Sequence, residues 1–123
     1  MKEFWYVGAG RFIGSSLRYG INVLSYRIIS VQIISYGTLI VNCVGCFFYR
    51  FNYGIIKKNI LLSDSFNLFS ITGFLGGLTT FSTFGNESIK LFLVGDSQLF
   101  LVNIFLNIFF SLFAVWIGYF IFR

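Results

Sequence analysis

The chain has 123 residues, of which 57% are hydrophobic and 11% charged, against about 45–50% and about 25% in an ordinary soluble domain. A soluble fold of this length buries only about two-thirds of its unfolded surface. A mean hydropathy of +0.84 then leaves apolar area that lipid tolerates and water does not, which excludes the soluble classes. Nine Lys and Arg against four Asp and Glu give a net charge of +5. No basic run exceeds Lys57-Lys58, so the excess reads as interfacial anchors and topology signals, not as a stripe for nucleic-acid phosphates.

About 20 apolar residues cross a bilayer core of about 30 Å, and four stretches qualify: 4–24, 35–56, 66–94 and 99–122. The links between them are short, so the expectation is an all-α membrane protein, with residues 1–123 as one four-helix transmembrane domain. The first apolar run meets Arg11 before any cleavage site, so it is expected to be retained and not removed as a signal. Four spans put both termini and the Lys57-Lys58 loop on one side, together with Lys2 and Arg123, while the other side holds chiefly Arg27. The positive-inside rule therefore favours cytoplasmic termini by a small margin that leaves both orientations open.

In the first segment Arg11 and Arg18 are seven apart and share a helical face, with Gly10 and Gly14 allowing a neighbour to approach closely. They read either as interfacial anchors or as a fixed positive potential at an anion vestibule.

In the second segment Asn42 lies near the centre, where its amide needs a partner. It is either glue between helices or a pore-lining donor. Cys43 and Cys46 form a C-x-x-C, but inside an apolar span, in a chain with no His, they read as small packing residues. Arg50 is expected to snorkel.

The third segment carries Gly76-Gly77-Leu78-Thr79-Thr80-Phe81-Ser82-Thr83 at its middle. Paired Gly followed by β-branched and hydroxyl residues lowers helix propensity and offers the backbone competing hydrogen bonds, so a break is predicted here. Non-helical backbone at this depth survives only where protein or a cavity surrounds it. A break exposes carbonyls of one half-helix and amides of the other, one spot suited to a cation and another to an anion. Ser82 and Thr83 add donors. Phe81 and Phe84, three apart, would share a face and present ring edges of partial positive charge. The alternative use of these Gly and Thr residues is tight helix packing alone. Glu87 and Lys90 are spaced for a helical ion pair, and Glu87 could also support the break.

On the fourth segment Asn103, Asn107 and Ser111 recur every four residues on an otherwise apolar helix. The stripe is either interhelical glue or one wall of an aqueous track. Its match to the hydroxyls of the third segment favours the track.

These residues resemble the fluoride-specific ion channels called Fluc, or CrcB-like proteins, over nearly the whole length. The resemblance rests on Gly10, Gly14, Arg18 and Tyr19, on Gly37-Thr38-Leu39 with Val41-Asn42 and Gly45, and above all on residues 73–84 with Glu87. It implies an antiparallel, dual-topology homodimer in the cell membrane, packed around the broken third helices, with two fluoride pores. On that pattern the backbone carbonyls of Gly76 and Thr79 from both subunits hold one structural Na⁺ that is not transported. Phe81 and Phe84 line each pore, Asn42 donates, and Ser82, Thr83, Ser111, Asn103 and Asn107 follow the polar track, the two asparagines at positions where the family accepts several polar types. Arg18 belongs to the same pathway. The implied function is passive fluoride efflux that protects the cell. Ser35-Tyr36 stands where the family commonly has Pro before the Gly-Thr-Leu block, and the lysine pair of the middle loop sits awkwardly with strict dual topology.

The competing readings fit less. A proton-driven four-helix drug exporter would need a carboxylate embedded in the first segment, where only Glu3 is available, at its very end. A purely structural membrane subunit would leave the break unexplained. With no His, and with its carboxylates scattered, the chain shows no enzymatic pairing.

Overall fold

The structure, a computed structural model, describes residues 1–29, 34–58 and 63–121. Helices α1 (Lys2–Ile28) and α2 (Tyr36–Lys58) come first. The third expected span is composite: α3 (Asp64–Asn67), a π-helical segment (Leu68–Leu75), α4 (Gly76–Leu78) and α5 (Phe81–Leu93). Helix α6 (Ser97–Ile121) closes the bundle. The first span thus runs four residues past its expected end at residue 24. Phe122 and Arg123 lie outside the described residues.

The predicted break is present and narrower than the run that signalled it. Gly76 and Gly77 are helical, and only Thr79 (φ −77°, ψ 154°) and Thr80 (φ −150°, ψ 117°) are extended. The π-helical stretch ahead of the break was not anticipated. Ser70 Oγ there donates back to Phe66 O at 2.8 Å, a local bond that competes with the regular ladder.

Side chains cap the helices that surround the break. Ser63 Oγ accepts the Phe66 amide at 3.3 Å, Thr80 Oγ1 accepts the Thr83 amide at 3.2 Å, and Asp96 Oδ1 accepts the Leu99 amide at 3.0 Å. Each such cap stabilises its helix by about 0.5–2 kcal/mol. Gly95, at φ +86°, makes the reversal between α5 and α6, a conformation that costs other residues strain.

Two glycine-lined faces meet where α1 lies on the π-helical segment and α4. A Cβ at Gly10 would strike Phe69 O and one at Gly14 would strike Phe74 O; from the other side, a Cβ at Gly73 would fall 2.8 Å from Val7 O and one at Gly77 2.7 Å from Arg11 O. This is small-residue packing of the kind that lets membrane helices approach backbone to backbone.

The buried apolar core is small: Val41, Leu75 and Leu78, with Ile21 and Phe74 packed against it. Trp5, Phe12, Leu101 and Trp116 are all more than half exposed. Helices α2 and α6 are long and apolar enough to cross a membrane, with only 17% and 11% of their most apolar windows buried. A core helix of a soluble protein would be mostly buried, so these outward faces belong in lipid, and the chain is an all-α membrane protein.

A candidate ion pathway at the helix break

The break is held by a side chain from a different helix. In a continuous helix the Thr80 amide would donate to Gly76 O. Here it donates to Asn42 Oδ1 at 2.8 Å, while Asn42 Nδ2 donates to Thr80 O at 3.2 Å. Asn42 therefore satisfies both backbone groups of Thr80 and leaves Gly76 O without its helical donor. The neighbouring carbonyl, Thr79 O, accepts Arg18 Nη1 at 3.1 Å.

From Asn42 a line of polar groups leads away along α6 and α5. Asn42 Nδ2 also donates to Asn107 Oδ1 at 3.4 Å, and Asn107 Nδ2 donates to Asn103 Oδ1 at 3.2 Å and Asn103 O at 3.1 Å. Asn103 Nδ2 reaches Ser88 Oγ at 3.0 Å, and Ser88 Oγ donates to Phe84 O at 2.8 Å. Asn103 and Asn107 are 1% and 3% exposed, so the stripe read from the sequence faces inward and its amides are bonded to one another. At the far end Thr38 Oγ1, fully buried, donates to Glu87 Oε1 at 2.8 Å, and Glu87 Oε2 is buried without a partner. The expected Glu87–Lys90 ion pair does not form, because the carboxylate turns inward to Thr38 while Lys90 stays exposed.

A groove of about 690 Å³ meets this line at Asn42, Asn107 and Phe84. Asn42, Phe81, Phe84, Asn107 and Ser111 line it, and so do Gly76 and Thr79. The structure thus brings seven of the expected site residues to one surface. The Phe81 and Phe84 rings meet edge to face, with centroids 5.5 Å apart and planes at 64°. Phe84 is buried while Phe81 is 81% exposed.

Three expected residues lie off the groove wall. Ser82 and Thr83 are in the first turn of α5, where the capping hydroxyl of Thr80 gathers both: Thr80 Oγ1 lies 3.0 Å from Thr83 Oγ1 and 3.3 Å from Ser82 Oγ. Arg18 approaches the break from α1, because a carbonyl released by the broken ladder is an acceptor it can reach inside the bundle. Arg11 is exposed. The thiols of Cys43 and Cys46 are free, and Cys46 forms part of the groove wall.

Thr80 is the residue that reading the sequence undervalued. Its pattern, a hydroxyl residue directly before the helical run that starts at Phe81, is an N-cap signature that would have placed the second half-helix. The site offers two kinds of chemistry. Carbonyls at the C-terminal end of α4 can hold a hard cation, and the N-terminus of α5 with the amide of Asn42 can stabilise an anion.

The comparisons with known proteins give the family. Residues 5–119 match the family described as CrcB-like protein, Camphor Resistance (CrcB). The chain belongs to the CrcB family. It is 39% identical over 119 residues to the fluoride-specific ion channel FluC of Azobacteroides pseudotrichonymphae genomovar. CFP2, a match that covers 97% of this chain and 94% of that protein. It is 41% identical over 112 residues to the FluC of Clostridium perfringens (strain 13 / Type A), covering 91% and 87%. It is 42% identical over 122 residues to the FluC of Campylobacter jejuni serotype O:23/36 (strain 81-176), covering 95% and 94%.

Proposed function

We propose that this CrcB-family chain is a fluoride-selective ion channel, not an enzyme, and that it lets fluoride leave the cytoplasm passively across the cell membrane and so protects against fluoride toxicity. The observation that carries the reading is the Asn42–Thr80 clasp. It joins the break, the Asn107 line and the Phe81–Phe84 ring pair along a single groove. The names of the relatives give the ion.

Fluoride is small and strongly hydrated, so a selective pathway must replace its water with closely set donors and exclude larger halides by width. The Asn42 amide, the Ser111 hydroxyl and the edges of Phe81 and Phe84 supply such contacts, with the N-terminus of α5 beside them. Both N–H groups of Asn42 are engaged, and its bond to Asn107, at 3.4 Å, is the longer. That bond is the one an arriving anion would displace.

The working unit in this reading is an antiparallel, dual-topology homodimer. Polar backbone at the break cannot face hydrocarbon, and Gly76 and Phe81 are both exposed in a single chain. A second copy laid against the groove would cover them. The freed carbonyls of Gly76 and Thr79 suit a hard cation such as Na⁺. Two carbonyls are too few for its usual oxygen shell, so matching carbonyls from the second copy would complete it. Bound there, Na⁺ would supply a fixed positive charge between the two pathways and would not itself move. Arg18 occupies one of the two lone pairs of Thr79 O and leaves the other for the ion.

The deciding experiment uses purified protein in liposomes, with a K⁺ gradient shunted by ionophore. Fluoride should be released and chloride retained. Equal chloride release would remove the selectivity, and no fluoride release would remove the channel.

A further inference from the structure

Arg50 has a seat of its own on the seam between α2 and α6. Its guanidinium carbon lies 4.4 Å from the centre of the Tyr119 ring and 5.4 Å from that of Tyr53. Its Nε is buried without a hydrogen-bond partner, and among the described residues no carboxylate pairs with it. The stem lies flat because residue 118 is glycine. A Cβ there would come within 3.0 Å of Arg50 Cβ and 3.3 Å of Arg50 Cγ. The cation is thus held by rings, which fix its position and leave its charge unneutralised.

The position of those rings gives the charge its meaning. On α2 the groove is lined by Asn42, Cys46 and Tyr49, and Tyr53 follows Tyr49 by four residues on the same helical face. On α6 it is lined by Asn107, Ser111 and Val115, and Tyr119 follows Val115 by four. The two rings that carry Arg50 therefore continue both walls of the groove one turn beyond its lined part. Arg50 itself is eight residues from Asn42, about 12 Å along the helix toward the Lys57-Lys58 end. Arg11 and Arg18, the arginines whose spacing suggested a vestibule, are not on this line: one is exposed on α1 and the other is bound to Thr79 O.

We infer that Arg50, seated on Tyr53 and Tyr119, is the electropositive collar at one mouth of the groove and draws small anions toward the Asn42 amide. The inference rests on the channel reading above and adds to it a capture residue. Arg50 is partly exposed, so its charge acts on anions that arrive through solvent at the mouth and raises their local concentration without binding the ion permanently. Its effect must therefore fade when salt screens it.

The test compares wild type, Arg50→Gln and Arg50→Lys in neutral-lipid liposomes, with fluoride well below saturation. An impermeant electrolyte is set at about 0.01 M, where the screening length is about 30 Å, or at about 1 M, where it is about 3 Å. Arg50→Gln should lower initial fluoride flux about tenfold at low ionic strength and match wild type at high ionic strength, with Arg50→Lys close to wild type in both. A loss of equal size at both ionic strengths marks a packing role and overturns the inference. So does an unchanged Arg50→Gln, or a defect seen only when anionic lipid is added to the vesicles. A wild-type protein that passes no fluoride removes the channel reading and the collar together, whereas the other failures remove the collar alone.

Discussion

Asn42 and Thr80, 38 residues apart, hold each other through two hydrogen bonds, the Thr80 amide on Asn42 Oδ1 and Asn42 Nδ2 on Thr80 O. Removing the amide leaves a buried backbone N–H and C=O without partners, at about 1–3 kcal/mol for each unsatisfied group. Asn42→Ala is therefore expected to destabilise the fold by a few kcal/mol and to abolish fluoride flux. Asn42→Ser, which keeps an acceptor and a donor at shorter reach, should be milder in both. Unfolding in detergent and liposome flux check the pair, and normal flux in Asn42→Ala would separate the clasp from conduction.

The ring pair gives a second expectation. Phe81→Ile and Phe84→Ile remove the polarised edges and retain apolar bulk, so each should stop fluoride flux while the protein still elutes at the wild-type position on size exclusion. Phe84 is 7% exposed and Phe81 is 81% exposed, so only Phe84→Ile should also lower stability measurably, by about 1 kcal/mol. Wild-type flux in both variants would take the rings out of the mechanism.

Glycine substitutions should divide by location. A Cβ at Gly14 meets Phe74 O, a backbone atom that cannot swing aside, whereas a Cβ at Gly20 meets nothing within 4 Å. Gly14→Ala is expected to cost about 1–3 kcal/mol through forced separation of α1. Gly20→Ala is expected to be neutral or to stabilise α1 by up to about 1 kcal/mol. Thermal unfolding of the two variants side by side measures the difference.

Thr38 and Glu87 should be energetically coupled, since the Thr38 hydroxyl donates to Glu87 Oε1 from a fully buried position. A double-mutant cycle with Thr38→Val and Glu87→Gln is expected to return a coupling of about 0.5–3 kcal/mol. The same cycle with Lys90→Gln in place of Thr38→Val should return a value near zero. Coupling to Lys90 instead would restore the surface ion pair that the sequence spacing suggested.

What could be read from the chain before its structure follows from the range of each interaction. The break was legible because Gly-Gly-Leu-Thr-Thr weakens a helix locally, and the stripe of Asn103, Asn107 and Ser111 because a four-residue period is local too. That Thr79 and Thr80, and not the glycines, leave the helix depends on Asn42, a partner 38 residues away that helix propensity does not register. The same holds for Arg18, whose acceptor is 61 residues on, and for Glu87, whose spacing to Lys90 was satisfied by a partner 49 residues earlier. Arg50 was expected to snorkel, but its Nε is buried and its guanidinium sits on Tyr53 and Tyr119, a seat whose glycine and second tyrosine come from another helix.

The glycine seam along α1 bears on how the two half-helices differ. Helix α4 is pressed backbone to backbone on α1, with a Cβ at Gly77 only 2.7 Å from Arg11 O, whereas a Cβ at Gly85 in α5 would find nothing within 4 Å. The first half is riveted, and the second hangs from the side chains of Asn42, Thr38 and Asn103. Amide protons of α5 should therefore exchange with solvent before those of α4, and Phe81 and Phe84 should shift more readily than Gly77, which is held against Arg11 O.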